Sequence, residues 1–182
     1  MKTLLTITAL VLLTVAATAG QPFKAEKGSK ITVAGTSTMH DWTMVSEEIQ
    51  VDASIAEGGA TIDGLKLVVP VTTLKSHKSG MDDNAYKALK SDKNPQIIFN
   101  LKTSQAKGAS LLQGSGQLTI AGVTKDVTLD GKLEALANGK YKITGSYTLD
   151  MEAYKVEPPS FMFGTVNTGK EVTISYEIIL SK

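Results

Sequence analysis

The stretch Val127-Thr128-Leu129-Asp130-Gly131-Lys132-Leu133-Glu134 alternates apolar and polar residues with a period of two. Val127, Leu129, Gly131 and Leu133 share one face, and Thr128, Asp130, Lys132 and Glu134 share the other. Successive side chains of a strand point to opposite faces, so this alternation reads as a half-buried antiparallel strand. Tyr141, Ile143, Gly145, Tyr147 and Leu149 repeat the pattern, as do Leu112, Gly114, Gly116, Leu118 and Ile120. Each of these runs sets glycine on the apolar phase. A glycine there adds no side chain to a core, so several together leave room or let a sheet bend sharply. A curved antiparallel sheet with space inside points to a barrel that holds an apolar ligand.

Working outward, eight strand candidates emerge, at about 29–35, 41–55, 61–71, 96–102, 110–120, 124–134, 140–150 and 171–180. The second loses its alternation near Glu47-Glu48, which predicts a bulge or break there. The last carries Val172, Ile174, Tyr176, Ile178 and Leu180 in strict alternation. Connections around Gly108, Gly122 and Asn138-Gly139 are short enough for hairpins, and Asn-Gly is a strong tight-turn signal. Two connections are long. One carries a predicted helix over about 81–90, with Met81, Ala85 and Leu89 at four-residue spacing and Pro95 beyond it. Asp82 and Asp83 near its start and Lys87 and Lys90 near its end complement the helix dipole. The other, at 151–170, holds Met151, Tyr154, Phe161, Met162 and Phe163, and is too apolar to float free in water. An end of the barrel is the nearest surface for it to cover. Met39, Met44, Met81, Met151 and Met162 are read as lying outside the regular strands, either as adaptable surface around an opening or as filler for awkward loop packing.

The chain has 182 residues. Lys2, the apolar run from Leu4 to Ala17 and the small residues Ala17-Thr18-Ala19 read as a secretory signal peptide over 1–19. The remainder, 20–182, is expected to form one domain, exported and periplasmic. With no cysteine, neither disulfides nor a cysteine-linked lipid anchor is expected. Without Lys2, the 18 remaining lysines balance 18 acidic residues, and there is no arginine. A neutral surface lacks the clustered positive field that nucleic-acid binding requires. The missing arginine also argues against a bidentate clamp for an anionic headgroup, although lysine and backbone N–H groups could serve.

His40-Asp41-Trp42 holds one of two histidines and the single tryptophan. A catalytic histidine needs a nucleophile within reach, and Ser37 and Ser46 lack any nucleophile-elbow context, so no enzyme is expected. The structural alternative is a tryptophan closing one end of a barrel while its polar neighbours satisfy backbone groups. His40 and His77 form no close pair of metal-ligand spacing, and no glycine-rich phosphate loop opens a helix; neither a metal nor another cofactor is expected.

Four segments carry a family resemblance in this order and spacing: GTSTMHDW at 35–42, MDDNAYKALKSDKNPQIIFN at 81–100, GQLTIAGVTKDVTLDGKL at 116–133 and PPSFMFGT at 158–165. With them the chain resembles the YceI-like family of exported, lipocalin-like proteins. The resemblance implies an all-β fold, an eight-stranded antiparallel lipocalin-like barrel with a short helix in a long connection. It also implies an elongated apolar cavity for a polyisoprenoid or similar long-chain lipid, and offers no catalytic residues. By analogy with closed barrels, the lining candidates are Leu67, Val69, Phe99, Leu101, Leu118, Leu129, Tyr147, Leu149, Ile174 and Tyr176, with Trp42, Phe161, Met162 and Phe163 at an end. Either the helix or the loop at 161–163 is expected to gate the cavity. The expected partner is a long-chain apolar lipid (polyisoprenoid, quinone-like or fatty amide), exchanged through transient membrane contact. The rival reading is a non-catalytic envelope stress or interaction protein whose barrel interior is packed.

Overall fold

The computed structural model describes residues 22–161 and 165–182. The strands are β1 (Phe23–Ala25), β2 (Lys30–Ser37), β3 (Trp42–Ser46), β4 (Gln50–Ile55), β5 (Ile62–Pro70), β6 (Gln96–Ala106), β7 (Leu111–Ile120), β8 (Val123–Ala135), β9 (Tyr141–Asp150), β10 (Ser160–Phe161) and β11 (Val166–Ser181). One α-helix, α1 (Ser79–Ala88), lies between β5 and β6.

Neighbouring strands pair antiparallel, and the sheet closes on itself where Lys24 and Ala25 of β1 meet Ser181 and Leu180 of β11. Two of the eight staves are interrupted. β1 and β2 form one, broken at 26–29; β3 and β4 form another, broken at Glu47-Glu48-Ile49, where the sequence predicts it. In both, the first part and the second part pair with different stretches of their neighbours. β10 is a short side branch on β11.

The alternation holds at side-chain level. In β7, Leu112, Gly114, Gly116, Leu118 and Ile120 are buried while the residues between them are half-buried. Ala121 and Gly122 both have positive φ (48° and 80°), as a tight two-residue hairpin requires. The helix starts two residues before its expected position and stops at Leu89. It ends because Lys90 turns left-handed (φ 54°), so that Lys90 and Ser91 donate back to the carbonyls of Lys87 and Tyr86, both at 3.0 Å.

The inward glycines admit large neighbours; the empty room expected at them is mostly filled. Tyr176 lies over Gly131 and Gly145, Phe99 over Gly116 and Leu101 over Gly114. A Cβ on Gly145 would also come within 2.7 Å of the Asp130 carbonyl oxygen, and one on Gly116 would strike the carbonyl of Asn100. Gly116 sits beside the register shift between Leu101 and Thr103, where β6 bulges. Met44 also departs from expectation: it lies within β3 and is buried.

Two apolar clusters divide the interior. One, around Phe23, Val51, Ile62, Leu133 and Leu180, closes an end of the barrel, with Phe23 and Tyr141 edge to face at 5.4 Å. The other, around Phe99, Leu118, Leu149, Tyr154 and Val172, underlies the C-terminal part of α1. Urea denaturation should separate two glycines by their surroundings. Gly116→Ala should cost about 1–3 kcal/mol by overpacking. Gly80→Ala, in α1 with nothing within 4 Å of the added methyl, should add roughly 0.5–1 kcal/mol.

Candidate functional site

Above the packed end, the barrel encloses two adjoining chambers. The larger, of about 320 Å³, lies between α1 and the strand ends; the smaller, of about 120 Å³, lies deeper between the sheet walls. Val33, Leu74, Ile97 and Ile174 line both and form the throat between them. The larger alone falls in the usual range for ligand pockets, roughly 300–1,000 Å³. Among the described residues, no carboxylate lines either chamber.

Helix α1 supplies one wall of the larger chamber through Met81, Asn84, Ala85, Ala88 and Leu89, which recur at three- and four-residue spacing. Alanine at 85 and 88 keeps that wall low. A strap over 71–78 anchors the helix. Val45 and Lys75 exchange backbone hydrogen bonds at 2.8 and 2.9 Å, tying the strap to β3. The Tyr86 hydroxyl lies 2.9 and 2.8 Å from the carbonyls of Thr72 and Leu74 and accepts from the Lys75 ammonium at 2.8 Å.

Asp82 is buried and accepts from the Ser76 backbone N–H at 2.8 Å and hydroxyl at 2.6 Å. Burial opposes its ionisation, but those two bonds and the charges of Lys75 and His77 hold its carboxyl below the usual value. This carboxylate, read from the sequence as a helix-dipole partner, is therefore chiefly a clasp between helix and strap.

The structure brings together the described lining candidates. Trp42 and Leu149 face the larger chamber; Leu67, Val69, Phe99, Leu101, Leu118, Leu129, Tyr147 and Tyr176 face the smaller; Ile174 faces both. Met162 and Phe163, and the side chain of Phe161, lie outside the described residues. Trp42 stands opposite Gly35 on β2, its indole lying against that glycine and donating to the Thr36 carbonyl at 3.1 Å. Only glycine permits this approach. The His40 Nδ1 is 2.9 Å from the Asp41 carbonyl, so the polar pair beside Trp42 serves the turn itself. Met44, Met81 and Met151 all line the larger chamber.

Sequence reasoning missed Val33, although it shares the alternating phase of Ile31. It also missed the small wall residues Ala88 and Val156, which carry no signal apart from their positions in the fold. Tyr154, at 2% exposure, walls the larger chamber. Its hydroxyl is buried without a hydrogen-bond partner, and burial pushes the phenol up to about 12, with Tyr147 adding to the rise. Among the described residues no cluster of three His, Cys, Asp or Glu side chains is placed to hold a metal ion, and no helix is long and apolar enough to cross a membrane.

The YceI-like domain matches residues 13–180. The chain belongs to the YceI-like family. No curated protein matches. Among solved structures, BcnA of Burkholderia cenocepacia aligns with a TM-score of 0.75 at 14% identity, covering 86% of this chain and 99% of its own. The Campylobacter jejuni YceI protein aligns at 0.63 and 18% identity, over 75% of this chain and 83% of its own. A polyisoprenoid binding domain from Saccharophagus degradans aligns at 0.66 and 9% identity, over 88% and 97%. At these identities the likeness is one of fold: the closed eight-stranded antiparallel barrel that the resemblance implies is the architecture of this family member.

Two substitutions probe the walls. Asp82→Ala should cost about 1–3 kcal/mol at neutral pH, as loss of hydrogen bonds to a charged group does. A lowered folded-state pKa stabilises above the unfolded value and loses that contribution as pH falls through the folded one. The gap between wild type and variant in chemical denaturation should therefore close as pH drops below about 3.9. Tyr154→Phe should leave stability unchanged or raise it by about 1 kcal/mol, because it removes an unpaired buried hydroxyl; thermal melts report this.

Proposed function

We propose that this protein binds a long-chain apolar lipid, a polyisoprenoid or a molecule of similar shape, in the connected chambers of its barrel, and carries or stores it without catalysing a reaction on it. The observation that carries this reading is a throat joining two chambers whose walls are almost wholly hydrocarbon, open beside α1 and closed at the far end. The family and the structural likeness to a polyisoprenoid binding domain support it. The rival, a packed barrel acting by its outer surface, predicts no such space.

The energetics suit a carrier. Each methylene taken from water contributes about 0.8 kcal/mol, so a long chain has ample gross driving force to leave water. A bilayer offers nearly the same environment, so the net preference for the barrel is small and the ligand can be loaded and released. Met39, at 68% exposure, sits in the β2–β3 turn next to rim residues Ser37 and His40 and is our candidate for the transient membrane contact. The basic and apolar start of the chain followed by Ala17-Thr18-Ala19 supports export to the periplasm with cleavage before Gly20.

Trp42 is the single tryptophan and lines the larger chamber, so its fluorescence reports occupancy directly. Titration with farnesol should shift its emission to shorter wavelength and saturate at one equivalent. Val33→Phe, which narrows the throat, should weaken farnesol binding roughly tenfold, the equivalent of about two methylenes left in water, while sparing the shorter geraniol. An emission spectrum unmoved by either alcohol in the folded protein would contradict the proposal.

A further inference from the structure

The polar groups of the larger chamber are unevenly distributed along α1. Lys78, at the start of the helix, and Asn84, within it, line the chamber, and the last turn presents Ala88 and Leu89 instead. Burial follows the same axis. Lys78 and His40 are exposed at the rim, Asn84 and Ala88 are half-buried, and Tyr154 and Val156, grouped with Leu89, are buried. The chamber therefore has a wet basic end and a dry apolar end, and the throat leads on to a second chamber with no charged residue in its lining among the described residues.

The groups at the wet end are uncommitted. Among the described residues, the Lys78 ammonium makes no ion pair or hydrogen bond and the Asn84 amide has no partner. His40 uses Nδ1 on the Asp41 carbonyl, which leaves Nε2 available. Ser37, by contrast, is fully engaged: its hydroxyl donates to the His40 carbonyl and accepts from the Met39 and His40 N–H groups. The nearby carboxylates do not answer Lys78. Asp82 is held by Ser76 and Lys75, and Asp41 and Asp83 are exposed and line neither chamber. Among the described residues, Lys78 is the only lysine lining either chamber.

We propose that the natural occupant is an amphiphile with an acidic end group, a carboxylate or a phosphate, seated at the rim against Lys78 with Asn84 alongside, its tail running along α1 toward Leu89 and through the throat. This rests on the lipid-binding reading and adds the polarity of the ligand and its direction. A neutral hydrocarbon would fill the dry end equally well and gain nothing at the rim. An anion gains a lysine partner there, without the burial cost that a charge would meet anywhere deeper.

Two matched pairs of probes test it: palmitic acid against methyl palmitate, and farnesyl phosphate against farnesol, each titrated into wild type and Lys78→Met. In wild type the charged member of at least one pair should bind tighter, by about fivefold for a rim ion pair, and the pair that discriminates names the source as fatty acid or lipid phosphate. In Lys78→Met that preference should vanish while the affinity for the neutral member stays unchanged. Equal binding within both pairs, or a preference that survives Lys78→Met, overturns the acidic headgroup and leaves lipid binding standing. Failure of all four probes to bind overturns both.

Discussion

Strand β11 carries backbone hydrogen bonds along both edges, to β9 on one side and to β2 and then β1 on the other. Every wall of the cavity depends on that closure. A sheet closed on itself has no free edges to protect and needs no second layer, so its inner face can curve around a space. The interruptions in the first two staves serve the same end. Breaking at 26–29 and at 47–49 lets each stave serve two neighbours and turn the corner into the ring.

Whether the enclosed space is filled depends on side-chain size along the axis. At the closed end Phe23, Ile62, Leu133, Ile143 and Leu180 meet, and Leu180 has no exposure at all. Around the larger chamber the walls use Val33, Ala85, Ala88, Val156 and Val172, which are too short to reach across. Helix α1 stands off the strand ends on its strap instead of dropping into the barrel, because Asp82, Tyr86 and the Val45–Lys75 bridge hold it in place. Any gating motion of the helix must therefore carry the strap with it or break those bonds.

Much of this was legible in the sequence, for a definite reason. Period-two alternation reports a strand with one wet and one dry face, and β7, β8, β9 and β11 show it cleanly. The loss of alternation at Glu47-Glu48 marked a real break. The three-residue β1 and the two-residue β10 are too short to display any period, and only their partners define them. The glycines were the instructive error. Within one strand, Gly131 and Gly145 look like missing side chains; across strands, Tyr176 reaches over both, its hydroxyl donating to the Asp130 carbonyl at 3.0 Å. That filling depends on register, which a single strand's pattern does not contain. For the same reason the strand-borne lining candidates were recoverable, whereas Ala88 and the basic rim at Lys78 were not.

The account stands or falls on whether the space beside α1 is hydrocarbon-sized room for a chain. Native mass spectrometry of the protein freshly purified from a cell envelope, followed by solvent extraction and analysis of what is released, addresses that directly. The account predicts a population heavier than the bare polypeptide by the mass of one long-chain molecule, which is recovered in the organic phase. A bare polypeptide mass that stays unchanged after incubation with envelope lipid extract would contradict it.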